Sequence, residues 1–229
     1  MKSNNPHVML VIPENNTTME NELRELLPIG SSVHVVRVPR GKGLLTKETL
    51  PEYKNSTVLV CEKFNHQDID IVAYGCTAAG FIMGPEGDQE MANRISDIVK
   101  KPVVTTAGSM VKALQELEAK NISLLTPYND LVNIQLKKFL ECGDINVKHF
   151  DSFYAPDVIA LGKITSIEVQ EKAEKLFAED VDALFIACSQ LPTISILNSL
   201  SSKLSKPVLS SIQVTAKYVN DLALVKRTS

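Results

Sequence analysis

The 229-residue chain has no tryptophan, only five tyrosines and seven phenylalanines, and no cluster of lysine or arginine on which a polyanion would lie. With a net charge of −3 as well, nucleic acid is not an expected partner. No apolar run approaches the roughly 18 residues that suggest a membrane span. The run nearest the N-terminus, Val8 to Ile12, is shorter than the roughly 7–15 residues of an export signal core. The expected location is the cytoplasm, with no membrane partner. Four cysteines, at 61, 76, 142 and 188, show no C-x-x-C spacing and no neighbouring histidine pair, so neither a disulfide framework nor a zinc site is indicated. His7, His34, His66 and His149 form no strand-end cluster with serine or cysteine, which argues against a histidine-dependent triad. G-x-G-x-x-G does not follow the first apolar run and G-x-x-x-x-G-K-[ST] occurs nowhere, so dinucleotide and P-loop readings lack their fingerprint. No metal and no organic cofactor is expected.

What the chain does have is the composition of an ordinary globular protein, 44% hydrophobic and 22% charged. Short runs rich in Val, Ile and Leu alternate with longer amphipathic stretches, the pattern of buried parallel strands joined by helices. The expected strands are 8–12, 33–38, 69–74, 103–105, 122–126, 147–150, 183–187 and 208–210, and the helical patterns include 19–27, 87–100, 109–120, 131–142 and 166–179.

The halves also resemble each other. VMLVIPENN (8–16) matches ISLLTPYND (122–130), IDIVAYGCT (69–77) matches VDALFIACS (181–189), and KKPVVTT (100–106) matches SKPVLSS (205–211). The offsets of 114, 112 and 105 residues drift slowly, as in two copies of one supersecondary unit. The expected fold is therefore α/β: two pseudo-symmetric lobes, each a mainly parallel sheet flanked by helices, with the active site in the cleft between them. No linker rich in Pro, Gly or Ser separates the halves, so the lobes are expected to dock closely. Ligands of open α/β sheets bind beyond the carboxyl ends of the strands, and the segments after each repeated strand should line that edge.

Cys76 and Cys188 occupy equivalent places just after a strand. Cys76 precedes Thr77-Ala78-Ala79-Gly80, a small-residue turn before a helix, where unpaired N–H groups and a helix dipole favour a thiolate. Either cysteine alone reads equally well as a small buried hydrophobe; their symmetry favours a chemical role. Thr17 and Glu20 have the spacing of a capping box for the helix from Met19. Asn16 is then a turn residue or, alternatively, a carboxylate binder at that helix start. Tyr128 is a half-buried aromatic cap or a hydrogen-bond donor to a developing enediolate. Arg40-Gly41-Lys42-Gly43 reads as a solvated loop or a lid.

Together PENNTTMENE (13–22), YGCTAAGFIMGP (74–85), TTAG (105–108), TPYNDLVN (126–133) and IACSQLPT (186–193) resemble, in order, the signatures of the aspartate/glutamate racemase superfamily. Within it the chain is most similar to the branch of maleate cis-trans isomerases and arylmalonate decarboxylases. The resemblance implies dimers and a C-terminal helix returning to the first lobe, so that residues 1–106 with 212–229 make one lobe and 107–211 the other. It implies a small carboxylic acid substrate held by Asn16 and Tyr128. Thr77 and the backbone at Cys188 and Ser189 would contribute an oxyanion pocket, with Cys76 and Cys188 doing the chemistry. Arylmalonate decarboxylases keep a glycine where this chain has Cys76, which favours isomerisation or racemisation over decarboxylation.

One position departs from the pattern. Where maleate isomerases tend to carry Asp-Asn before I-G-[RK], this chain has Asp157-Val158 before Ala160-Leu161-Gly162-Lys163. The asparagine that would meet the distal carboxylate is replaced by valine. The substrate then has a less polar far end, or another residue contacts that carboxylate.

The leading expectation is cofactor-independent cis-trans isomerisation of maleate or a related cis-enedioate through a cysteine adduct. A two-cysteine racemase of the aspartate/glutamate type is the alternative, followed by an arylmalonate-type decarboxylase. A non-catalytic binder of small carboxylates is disfavoured by the paired cysteines.

Overall fold

A computed structural model of the protein describes residues 5–41, 43–65 and 68–228, with side chains described to 225; Lys42 and His66 lie outside the described residues. Strands β1 (His7–Pro13), β2 (Ser32–Val38), β3 (Ile71–Tyr74) and β4 (Val103–Thr105) form one parallel sheet in the order β2-β1-β3-β4. Strands β5 (Asn121–Thr126), β6 (Asn146–Ser152), β7 (Ala183–Ile186) and β8 (Val208–Ser210) form a second in the order β6-β5-β7-β8. The two orders are the same, and so is the central register: Val11 lies opposite Tyr74 as Leu125 lies opposite Ile186. The internal repeat is thus two copies of one four-stranded α/β unit.

Burial explains which runs became which strands. Along β3 and β7 every residue is buried, as expected of strands covered on both faces, whereas edge strand β2 mixes buried, half-buried and exposed positions. The connecting helices are α1 (Met19–Leu26), α2 (Leu50–Lys63), α3 (Thr77–Val99), α4 (Thr106–Glu116), α5 (Asp130–Glu141), the single turn α6 (Val158–Leu161), α7 (Ser166–Leu176), α8 (Leu197–Leu204) and α9 (Ser211–Thr228). Helix α9 packs against α1, α4 and strands β3, β4 and β8. Among the described residues no helix is long and apolar enough to cross a membrane.

Two local expectations are corrected. The helix expected from Gly87 starts ten residues earlier, at Thr77, because Gly84 bends it at φ +78° ahead of Pro85, and both halves lie in α3. The Thr17–Glu20 capping box does not form. Instead Asn16 Oδ1 accepts from the N–H groups of Thr18 and Met19 at 3.0 and 2.9 Å, while the Glu20 carboxylate pairs with Arg24 and Arg37.

A buried carboxylate ties the two halves together. Glu22 on α1 accepts from Thr193 N–H at 2.6 Å, Ile194 N–H at 3.1 Å and the Thr193 hydroxyl at 3.1 Å, all in the segment between β7 and α8. Burial pushes its pKa up, and these hydrogen bonds oppose the rise.

Candidate active site

In each sheet the chain order reverses between the two central strands, and the segments leaving their carboxyl ends meet across the lobes. From the first lobe come Asn16 after β1 and Cys76 with Thr77 after β3. From the second come Tyr128 after β5 and Cys188 with Ser189 after β7. All six line one small cavity. No sequence-expected site residue is left outside it.

Local packing fixes this constellation. Gly75 leaves no room for a side chain: a Cβ there would meet Met19 Sδ at 2.5 Å and Ile12 Cγ2 at 2.7 Å. The chain can therefore turn tightly from β3 into α3, which puts Cys76 at the helix N-cap. Ser189 is held from the other lobe, donating its hydroxyl to Gly75 O at 2.7 Å and its N–H to Thr77 Oγ1 at 3.2 Å. Asn16 Nδ2 donates to Ser189 O at 3.1 Å. Asn16 is thus both helix cap and interlobe contact, so the two readings of this residue are not exclusive.

The surroundings of the thiols differ. Burial pushes the Cys188 thiol up, partly opposed by the nearby Tyr128 hydroxyl and by the Gln190 N–H, which donates to its sulfur at 3.4 Å. Tyr128 is itself buried, with its ring edge-on to Phe81 at 5.4 Å, and burial beside Cys188 holds its hydroxyl protonated well above the ordinary range. Against Cys76 lies Tyr53 from α2, also buried and protonated, whose hydroxyl has no well-formed hydrogen bond among the described residues.

Three residues here have no individual role on sequence grounds: Gln190 falls only within a segment expected to line the active edge, Arg40 only within a loop or lid, and Tyr53 not at all. Gln190 locks the lobes: its Nε2 donates to Thr17 Oγ1 at 3.1 Å and Asn15 O at 3.3 Å, and its Oε1 accepts from Thr17 N–H at 3.2 Å. Its place two residues after Cys188 was the available signal. Tyr53 was hidden in α2, which had not been recognised. Arg40 lines the cavity instead of projecting with a solvated loop, and its signal was its position just beyond β2 at the active edge of the sheet. Part of the lining is apolar: Val158 and Leu161 of α6, with Leu44 and Leu45. Among the described residues no group of three His, Cys, Asp or Glu is arranged to hold a metal ion.

Comparison with known proteins agrees with this architecture. The family model described as arylmalonate decarboxylase matches residues 37–226. The chain belongs to the arylmalonate decarboxylase family. This is the branch that also takes in maleate isomerases, and as an enzyme the chain groups with isomerases. A maleate isomerase of Geobacillus stearothermophilus is 25% identical over 90% of this chain and 87% of its own length. An arylmalonate decarboxylase of Bordetella bronchiseptica is 22% identical over 75% of this chain and 72% of its own length. Among solved structures, a Nocardia farcinica maleate cis-trans isomerase bound to TRIS superposes with a TM-score of 0.88 at 22% identity, covering 95% of this chain and 92% of that one. A cysteine-to-serine mutant of that enzyme, carrying a covalently bound succinylcysteine intermediate, superposes with a TM-score of 0.87 at 22% identity, over 95% and 92% of the two chains.

Proposed function

We propose that this member of the family is a cofactor-independent cis-trans isomerase acting on maleate or a related cis-enedioate. The observation that carries the reading is the pair of cysteines, Cys76 and Cys188, brought from equivalent places in two lobes onto one small cavity. In the proposed reaction the Cys76 thiolate adds to the alkene carbon beside one carboxylate. A C–S bond forms, the π bond breaks, and its electron pair moves onto the neighbouring carbon and the carboxylate attached to it as an enediolate. The former double bond is now single and rotates. Collapse of the enediolate re-forms the alkene in the trans geometry and expels the thiolate, so no oxidant or net proton is consumed.

The remaining residues have distinct tasks. Negative charge grows on the enediolate oxygens, where donors aimed in advance count most. Asn16, Thr77, Tyr128 and the backbone at Ser189 are the proposed carboxylate and oxyanion partners. Cys188, kept neutral by burial, supplies or buffers a proton at the carbanion carbon. The covalent succinylcysteine seen in the Nocardia farcinica enzyme is the protonated form of such an adduct and supports this chemistry. A cytoplasmic homodimer is part of the same proposal, and light scattering on the full chain would test the dimer.

The deciding experiment is incubation in deuterated water with maleate, substituted maleates, aspartate, glutamate and an arylmalonate, followed by proton NMR. Appearance of the trans-enedioate is expected. Exchange of an amino-acid α-proton without any alkene isomerisation would move the protein to the racemases, and release of carbon dioxide from the arylmalonate to the decarboxylases.

A further inference from the structure

The cavity wall at α6 is apolar, which leaves open what meets the second carboxylate of an enedioate. The side chains of Val158 and Leu161 offer no hydrogen bond, nor do those of Leu44 and Leu45, which also line the cavity. A carboxylate left unpaired against such a surface is strongly disfavoured. Arg40 is the only charged residue among the described residues that line the cavity.

The condition of this arginine is unusual. Its Nε is buried without a hydrogen-bond partner. Its Nη2 makes a single 3.2 Å contact to Gly43 O. No carboxylate among the described residues forms an ion pair with it. The nearest acid, Glu14, instead accepts the backbone N–H of Arg40 at 2.8 Å, which fixes the loop without neutralising the guanidinium. The positive charge is felt at Tyr128 and Cys188, which line the cavity, and at Tyr53. A guanidinium with free donors in a small, otherwise uncharged cavity is matched by a carboxylate, which it can take bidentately.

We propose that Arg40 is the anchor for the distal carboxylate of the substrate and sets a preference for dicarboxylates over monocarboxylates, with the Asn16 and Tyr128 side of the cavity holding the reacting end. This rests on the isomerase reading for the identity of the reaction, but the anchor itself makes a separate claim about binding. In place of a polar group on α6, Arg40 supplies a charge from the loop after β2. The substrate class is then a four-carbon diacid or a close homologue, and an apolar substituent on it would pack against Val158.

The test uses succinate and butyrate, which share a chain length, lack an alkene to accept a thiol, and differ by one carboxylate. Calorimetric titration of wild type, Arg40→Gln and Arg40→Lys at low ionic strength is run beside maleate turnover followed by NMR. Wild type should bind succinate at least tenfold more tightly than butyrate. Arg40→Gln should bring the two affinities close together by weakening succinate alone, raising the maleate KM about tenfold or more with a smaller change in kcat. Arg40→Lys should keep part of the preference.

The proposal is overturned if wild type shows no preference for succinate, whether both bind equally or neither binds measurably. It is likewise overturned if the preference survives in Arg40→Gln. The wild-type comparison can overturn the proposal even if Arg40→Gln fails to fold, and the conservative Arg40→Lys variant then ties any preference to this residue. Maleate turnover with an unmoved KM in Arg40→Gln would remove the anchor and leave the isomerase reading standing. An Arg40-dependent succinate preference in a protein that leaves every enedioate unchanged would do the reverse.

Discussion

Replacing Asp88 by asparagine tests how strongly one buried carboxyl group ties stability to pH. Asp88 sits in the second half of α3, past the bend at Gly84, with only 4% of its surface exposed. Its Oδ2 accepts from Thr105 Oγ1 at 2.5 Å, and Thr105 Oγ1 in turn accepts from Gly108 N–H at 3.0 Å, linking α3 to the start of α4. Its Oδ1 is buried without a partner. Desolvation outweighs the favourable contacts from Thr105 and Gly108 and lifts the pKa from 3.8 to about 6. At about 1.36 kcal/mol per unit, the full effect is about 3 kcal/mol.

The sign follows from proton binding. The folded state holds this proton more tightly than the unfolded chain, so the stability contribution is complete below pH 3.8 and is lost as pH rises through about 6. Between pH 5 and 7.5 the loss comes to about 1.4 kcal/mol. Asp88→Asn keeps the volume and an acceptor for Thr105 but has nothing to titrate. Urea unfolding followed by circular dichroism, on both proteins across that window, should show wild type losing about 1.4 kcal/mol more than the variant. Parallel pH profiles would show that Asp88 is not held protonated by its surroundings and would refute the reasoning.

Three other outcomes are expected. Glu22→Ala leaves two backbone N–H groups and a hydroxyl without their acceptor between the lobes, and should cost about 3 kcal/mol in denaturant unfolding; a loss under about 1 kcal/mol would mean that the clamp is dispensable. Cys76→Ala should abolish enedioate turnover and Cys188→Ala should reduce it severely, with the double variant no worse than Cys76→Ala, since groups acting as a unit are not additive; full activity in either single variant removes the two-thiol route. Tyr128→Phe removes a donor to charge that grows in the transition state, so kcat and kcat/KM should fall together. It also removes the hydroxyl that favours the Cys188 thiolate, so the alkaline loss of activity, where Cys188 ceases to be a proton donor, should move to higher pH. A limb that stays in place in titrated rate profiles would separate Tyr128 from Cys188.

The parts of the molecule that were legible in advance are those where chemistry and periodicity coincide. Buried parallel strands are continuous apolar runs, and each chemistry-bearing segment follows one directly, so all eight strands and the segments lining the cavity could be placed from order and spacing, while the roles of Asn16, Thr77, Tyr128 and Ser189 came from the family resemblance. Helix α2 was missed because its second half, Thr57-Val58-Leu59-Val60, is an apolar, β-branched stretch that reads as a strand. The capping arrangement at α1 was misread for a tertiary reason: Gln190 from the other lobe takes up the Thr17 N–H and hydroxyl, so the cap falls to Asn16. Arg40 was discounted because an arginine beside two glycines is, on local grounds, solvent-facing.

Duplication explains where the two cysteines are, and the differences between the copies explain how they can differ in role. Each thiol lies two residues beyond a central strand and faces a buried tyrosine, but the tyrosines have different origins. Tyr53 comes from α2 to stand against Cys76, whereas Tyr128 comes from the segment after β5 to stand against Cys188. The position matching Tyr128 in the first lobe is Glu14, which is exposed and orders the Arg40 loop. Cys188 additionally receives the Gln190 N–H, and Gln190 is itself bolted to the first lobe. The surroundings of Cys188 therefore depend on the docking of both halves, as does the Ser189 to Thr77 contact beside Cys76. Under the proposed chemistry one thiol must bond to carbon while the other keeps a proton. A strictly symmetric pair of lobes would give both thiols the same environment, so it is the asymmetry of Tyr53, Tyr128, Glu14 and Gln190, laid over a symmetric scaffold, that allows the two to divide the work.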